Sequence, residues 1–207
     1  ADQMNGNRAA SHEVLQALQG VAAKDQSGLV LLYVASALQK LPLESRWPIA
    51  TALAGRKEFA SDRMFPNMLW LGIEPAIPRD PAKSVELLKK SQVPMLRENI
   101  ARRLAEEIEK SPVGANALLQ VAGSAQPDVR MSLGLKGWRK ATQPVAWKAV
   151  SEKTLASTNA ETQQAAKELG VVFGDGLALD AILAVVKDGK ADPAARGQAI
   201  RELAQAK

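Results

Sequence analysis

One short basic segment combines the side-chain types best suited to binding a partner. This candidate partner surface consists of Lys136, Trp138, Arg139 and Lys140. Cationic side chains neutralise phosphate groups and an indole ring stacks on a base, so the combination fits nucleic-acid binding. The same charges also fit a solvated helix face, and no recognised nucleic-acid motif accompanies them. We therefore do not expect nucleic acid to be the main partner.

The composition leaves few residues for catalysis or for binding a metal or haem. The 207 residues contain no Cys and a single His, His12. Thiol nucleophiles, disulfides, cysteine metal sites and covalent haem attachment are therefore excluded from this chain. Glu13 follows His12 directly and so points away from it on a helix, which predicts a surface or capping role for His12. We expect no catalytic residue, metal or cofactor here.

The glycine-rich stretch 170–176 is superficially similar to a phosphate-binding loop. No strand precedes it, and its spacing differs from the P-loop and dinucleotide fingerprints. The stretch instead predicts a helix end, with Gly174 or Gly176 in the left-handed conformation and Asp175 in the turn.

Charge and hydropathy predict a soluble domain. Lys and Arg number 27 against 22 Asp and Glu, for a net charge of +5. This excess permits an anionic partner without requiring one. The first residues lack the basic-then-apolar order of a secretory signal, and no apolar run approaches the ~20 residues of a membrane-spanning helix.

Almost every segment has the periodicity of an α-helix, so the predicted fold class is all-α. The segment 27–41 is apolar nearly all round, which predicts an inner helix. Trp47 and Trp70 are predicted to be packing residues. Proline marks several predicted helix starts. The predicted helices cover 11–24, 27–41, 45–55, 66–76, 81–92, 94–110, 112–123, 127–141, 145–157, 159–173, 177–188 and 193–206.

A fixed period of about 33 residues indicates an internal repeat. The pattern Pro-x-x-Arg occurs at Pro94 and Arg97, at Pro127 and Arg130, and at Pro193 and Arg196, with spacings of 33 and 66. The same period places a further unit at 160–163, where the Pro and the Arg are missing. In all four units, the positions three and seven residues after the Arg, or after Gln163 in the unit without it, are small or apolar. They are Ile100, Leu133, Ala166 and Ala199, then Leu104, Gly137, Gly170 and Leu203. Going back 66 residues from Arg97 gives Leu31, Val34 and Leu38 in the same places.

These columns predict that each unit is a pair of helices and that neighbouring pairs bury the apolar face. Pro presets the first helical turn, and the Arg one turn later is predicted to hold a carboxylate or carbonyl of an adjacent unit. Ankyrin and tetratricopeptide signatures are absent, whereas PDVR at 127–130 resembles the second helix of HEAT-type repeats. We predict a HEAT-like α-solenoid forming one domain over 1–207, irregular near 56–80 and regular over 81–207.

The first half of the chain resembles a more particular family. The motifs are LYVASALQKLP at 32–42, RWPI at 46–49, PNMLWLGIEP at 66–75 and IARRL at 100–104. They are similar to the HEAT-like region of PVC-type haem-binding proteins, large chains described as membrane-bound dehydrogenases. In that family the region lies between a β-propeller resembling sugar dehydrogenases and a cytochrome c domain with a Cys-x-x-Cys-His site. The resemblance implies a periplasmic or cell-envelope location, and haem c only in the parent protein.

The function predicted from the sequence is a non-catalytic scaffold, a spacer between those two redox domains or a surface for a protein partner. The alternative is a HEAT-like nucleic-acid-binding domain, similar to DNA glycosylases that use a basic concave face. Further basic residues could extend such a face beyond the candidate partner surface, namely Lys89, Lys90, Arg102, Arg103 and Lys148. Glu106, Glu107 and Glu109 lie close to the two arginines in sequence.

Overall fold

The computed structural model describes residues 11–122, 135, 138 and 140–205, without the side chains of 121, 122 and 205. The described part is helical and contains no strand, which confirms the all-α prediction. Its α-helices are α1 (His12–Lys24), α2 (Gly28–Ala37), α3 (Leu43–Ala54), α4 (Phe65–Ile73), α5 (Pro81–Lys90), α6 (Pro94–Glu106), α7 (Val113–Ala122), α8 (Trp147–Leu155), α9 (Ala160–Phe173), α10 (Gly176–Lys187) and α11 (Pro193–Gln205). Short 3-10 segments cover Leu38–Lys40, Lys57–Phe59 and Glu74–Arg79.

The helix starts follow the local chemistry of the sequence. Three helices, α5, α6 and α11, begin at the predicted prolines, where a missing N–H costs no hydrogen bond. Others have a side-chain cap: Ser11 Oγ accepts from Val14 N at 3.3 Å, and Asn159 Oδ1 accepts from Thr162 N at 2.9 Å. Short polar residues thus satisfy the first free N–H groups of these helices.

The predicted helix 127–141 does not reach its predicted end. Most of it lies outside the described residues, but Leu135 is in a turn and Lys140 is not helical. The backbone N of Ala141 donates instead to Val172 O, 2.9 Å away in the last turn of α9. That bond satisfies a carbonyl that α9 cannot pair internally, so a tertiary contact replaces the helical one.

The backbone contacts divide the chain into two compact units, residues 1–100 and 101–207, with the boundary inside α6. The single repeat domain expected over 1–207 stays a prediction.

Within the first unit, α2 and α4 approach each other closely at Gly72. A Cβ on Gly72 would lie 2.7 Å from Leu38 Cβ, so only glycine permits this contact without displacing a neighbour. Leu31, Leu69 and Ile73 are fully buried in the same core. The glycine therefore sets the distance between these two helices.

The segment 27–41 is not an inner helix on all sides. Leu31, Val34 and Leu38 are buried, but Leu29 is 64% exposed and Tyr33 is 70% exposed. The prediction was wrong for this face because apolar composition alone does not specify how many sides of a helix its neighbours cover.

In the second unit, Gly170 permits the closest approach between α9 and α10. A Cβ at this position would overlap the Cβ of Ala178 in α10. Around this contact a buried cluster brings together α7, α8 and α9, and it includes Leu119, Trp147, Leu169 and Phe173. The packing of α9 against α10 thus requires a glycine at position 170, where the repeat pattern predicts a small or apolar residue.

The predicted repeat columns are buried at most of the positions that the structure describes. At the first column position, Ile100 is 0%, Ala166 3% and Ala199 5% exposed. At the second column position, seven residues after the anchor, Leu104 and Gly170 are buried and Leu203 is half-buried. Leu133 and Gly137 lie outside the described residues. Burial at equivalent places of α6, α9 and α11 is what the 33-residue period predicts.

Among the described helices, none alone has both the length and the apolarity to cross a membrane. α9 and α10 meet those two criteria only when taken as a pair, across a bend of 118°.

Candidate partner-binding surface

The candidate partner surface predicted from the sequence is described at only two of its four residues. Trp138 is half-buried and packs against the core cluster of the second unit, while Lys140 is exposed. Lys136 and Arg139 lie outside the described residues. A Trp138 ring that packs on the core offers less surface for stacking than a free one.

Two of the basic residues that could extend this surface are paired with nearby carboxylates. Arg102 lies 4.0 Å from Glu106, and Arg103 donates to Glu107. The hydrogen bond from Arg103 lowers the pKa of Glu107 below its usual range. These pairs reduce the positive field that a phosphate backbone would need.

The predicted repeat anchors occupy equivalent places in α6 and α11. In each helix Pro is the first residue and Arg lies one turn later. Arg97 N donates to Val93 O at 3.2 Å, and Arg196 N donates to Asp192 O at 3.0 Å. Pro127 and Arg130 lie outside the described residues.

The side chain of Arg196 bonds a carbonyl, but one in its own helix pair, α10 and α11, rather than in an adjacent unit as predicted. Its Nε donates to Val186 O at 3.3 Å, near the end of the preceding helix, α10. Arg97 is half-buried at the start of α6. At α11, Arg196 thus bonds a carbonyl near the end of the neighbouring helix.

Two other arginines do this more extensively, and the sequence analysis missed them. Arg46, 8% exposed, donates to the carbonyls of Leu41 at 2.9 Å, Gly72 at 2.7 Å and Gln39 at 3.1 Å. Burial lowers the pKa of Arg46. The guanidinium thereby collects three carbonyls from two helix ends.

Arg56 plays the same part at the end of α1. It is 7% exposed and donates to Ala22 O at 3.1 Å and to Asp25 O at 2.6 Å. Its Nε donates to Glu58 at 2.6 Å. The RWPI motif and the helix-ending glycine before Arg56 were the available signals, but neither specifies which carbonyls the guanidinium reaches.

A groove of about 470 Å³ opens in the second unit between α8 and the corner that joins α9 to α10. Its lining comprises Gln143, Lys148, Ser151, Glu152, Gly174, Asp175, Gly176, Leu177 and Asp180. No residue of this groove was predicted as a site from the sequence, except that Lys148 was among the scattered basic residues.

The corner beside the groove has the predicted helix-ending geometry. Gly174 has φ +66° and ψ +32°, a left-handed conformation that favours glycine. Asp175 caps the start of α10, with Oδ1 accepting from Leu177 N at 3.1 Å and Oδ2 accepting from Trp147 Nε1 at 2.6 Å. Trp147 is 1% exposed and packs edge-on against Phe173, with 5.2 Å between ring centroids. These contacts hold the groove wall in one geometry.

The remaining tryptophans and His12 have packing or surface positions. Trp47 is 6% exposed, as predicted for a packing residue, whereas Trp70 is only half-buried on α4. His12 is exposed at the first residue of α1. In the ranges that the structure describes, no group of three or more His, Asp or Glu residues is arranged to hold a metal ion.

Comparison with protein-family models, with curated proteins and with solved structures finds no match to this chain in any of the three.

Proposed function

We propose that this chain is a non-catalytic scaffold module, a HEAT-like α-solenoid whose stacked helix pairs hold partner domains at a fixed separation. The observation that carries the proposal is the burial of Ile100, Ala166 and Ala199 at equivalent places of α6, α9 and α11. Equivalent burial every 33 residues, or a multiple of it, is the pattern of a repeat array, in which each pair covers the apolar face of the next.

The helix ends support a rigid array. Free carbonyls at the ends of α1, α4 and α10 are bonded by arginines from neighbouring segments, rather than left to water. Each such bond ties the end of one helix to another element and limits their relative motion. A spacer needs this kind of restraint, because a flexible connection would not fix a separation.

The resemblance to PVC-type haem-binding proteins supports a more specific role. We place the module between a sugar-dehydrogenase-like β-propeller and a cytochrome c domain in a larger exported redox protein of the periplasm or cell envelope. Haem c and any dehydrogenase activity would then belong to the other domains, and this chain would contribute spacing and docking surface.

Binding to a fluorescent DNA duplex at low salt separates the scaffold from a nucleic-acid-binding domain. We expect no binding at about 50 mM salt, where electrostatic contacts to phosphate are strongest. Binding that is lost on neutralising Lys136, Arg139 and Lys140 to Gln would overturn the scaffold proposal. The matched control neutralises the exposed Lys24, Lys57 and Lys190 to Gln, which removes the same charge from other surfaces.

A further inference from the structure

We infer that the groove between α8 and the α9–α10 corner binds a lysine- or arginine-containing segment of a protein partner. This inference rests on the proposed scaffold function and names the chemistry of the partner. The groove has a volume of about 470 Å³ and is open to solvent, so a segment of a partner can lie along it.

The charges of the groove favour a cationic occupant. Three carboxylates line it, from Glu152, Asp175 and Asp180, against one ammonium group, from Lys148. Both oxygens of Asp175 already accept hydrogen bonds from the fold. Glu152 and Asp180 are exposed, and neither forms an ion pair with another described residue. Their charge is therefore available to a partner.

An apolar side chain in the groove indicates that the occupant also has aliphatic groups. Leu177 lines the groove and is 50% exposed. Lys and Arg side chains carry a long aliphatic stem below the charge. A segment bearing them can cover Leu177 with its methylene groups while its cations reach the two free carboxylates.

The groove suits a protein segment better than a metal ion or an anion. Its acidic side chains are not among any described group of three arranged to hold a metal. An anion would meet three carboxylates at close range. The wall is preorganised by the buried Trp147 and its bond to Asp175, so an incoming segment does not need to order it.

Fluorescence anisotropy with two short labelled peptides tests the inference on the full chain. One peptide alternates lysine with leucine, and the other alternates glutamate with leucine at equal length. We expect the chain to bind the lysine peptide and not the glutamate peptide, with affinity falling several-fold between about 50 and 300 mM salt.

Variants locate the binding. The Glu152→Gln and Asp180→Asn double variant should weaken lysine-peptide binding by about tenfold, because each exposed charge contact contributes up to roughly a few-fold in affinity. The matched control, Glu13→Gln with Glu161→Gln, removes the same charge from exposed positions outside the groove and should bind as the parent does. Equal circular dichroism melting curves confirm that both variants are folded.

Three outcomes would overturn the inference: binding of neither peptide, equal binding of both, or equal losses in the two double variants. Self-association of the chain that disappears in the groove variant would also overturn it, since a second copy of this basic chain would then be the occupant. In each case a rigid spacer could still stand, because fixed spacing does not require an occupied groove.

Discussion

The two units tie their helix ends together with different chemistry. In the first unit the buried guanidinium groups of Arg46 and Arg56 collect carbonyls from the ends of neighbouring helices. In the second unit Arg196 bonds one carbonyl, that of Val186, but the α9–α10 corner depends on a left-handed Gly174 and on an indole that donates to Asp175. A buried guanidinium stabilises several carbonyls at once, whereas the indole supplies a single hydrogen bond to the corner. We therefore expect truncation to damage the first unit more than the second.

The largest expected effect is that of Arg46→Ala. Removing the guanidinium leaves three carbonyls without their donors, at a cost of about 3 kcal/mol or more in the free energy of unfolding. Arg46→Lys should be intermediate, because an ammonium lacks the planar fork. Urea unfolding measures both variants.

The control for that comparison is Arg63→Ala, at an exposed position of the same unit. It should change the unfolding free energy by less than about 0.5 kcal/mol. An Arg46→Ala protein as stable as the control variant would show that the guanidinium does not hold the helix ends.

The next effect is expected at the close approach of α9 and α10. Gly170→Ala should cost about 1–3 kcal/mol, because its Cβ would overlap Ala178. The control is Gly20→Ala, where the added methyl meets nothing within 4 Å, and which should stabilise α1 by up to about 1 kcal/mol. Thermal unfolding should show a lower melting temperature for Gly170→Ala and a higher one for Gly20→Ala than for the parent.

A second substitution tests the cause of the Gly170 effect. Ala178→Gly in the Gly170→Ala background should restore part of the lost stability, since it removes the overlapping methyl. A double variant no more stable than Gly170→Ala would mean that some other contact causes the loss.

Trp147→Phe should have a smaller effect, of about 1–2 kcal/mol, because it removes the hydrogen bond to Asp175 while keeping an aromatic ring. Amide hydrogen exchange should show faster opening around Gly174, and no change in α1 to α5. Trp70→Phe, at a half-buried ring, is the matched control. Unchanged exchange at the corner would mean that the indole bond does not hold it.

The smallest effect is a pH dependence at the start of α5. The backbone N–H of Lys83 and then its ammonium group lower the pKa of Asp80. Because the folded pKa is below the unfolded one, this stabilisation is present at neutral pH and lost as pH falls from about 5 towards 2.

Asp80→Asn isolates that contribution. Asn still caps the helix, so at pH 7 the variant should lose only part of the capping and ion-pair stabilisation, less than about 1 kcal/mol. The difference from the parent should vanish at low pH. A difference that is constant over the whole range would contradict the role of the charge.

Local sequence patterns predicted the all-α class and several helix boundaries, because helix periodicity and prolines are local signals. Helices α5, α6 and α11 begin at the predicted prolines, and the corner at Gly174 has the predicted left-handed glycine. The predicted helix 66–76 is divided instead into α4 and a 3-10 segment, since Pro75 lacks an N–H for a continuing α-helix.

Long-range partners explain what the sequence did not predict. Arg46 reaches Gly72 O, which is 26 residues away, and no local pattern indicates which carbonyl will be near. Glu152 and Asp180 lie on different helices, and both line the groove beside the corner at Gly174. On the exposed face of α2, the composition shows that Leu29 and Tyr33 have apolar or aromatic side chains. It does not indicate that the fold leaves these side chains exposed.

The distance between spin labels on the two units tests the proposed fixed separation most directly. The chain has no Cys, so Gln16→Cys on α1 and Ala184→Cys on α10 can be labelled without background. Gln16→Cys with Ala82→Cys, both within the first unit, supplies the control width. A rigid spacer should give a between-unit distance distribution as narrow as that of the control. A broad or multiple distribution between the units would contradict a rigid spacer.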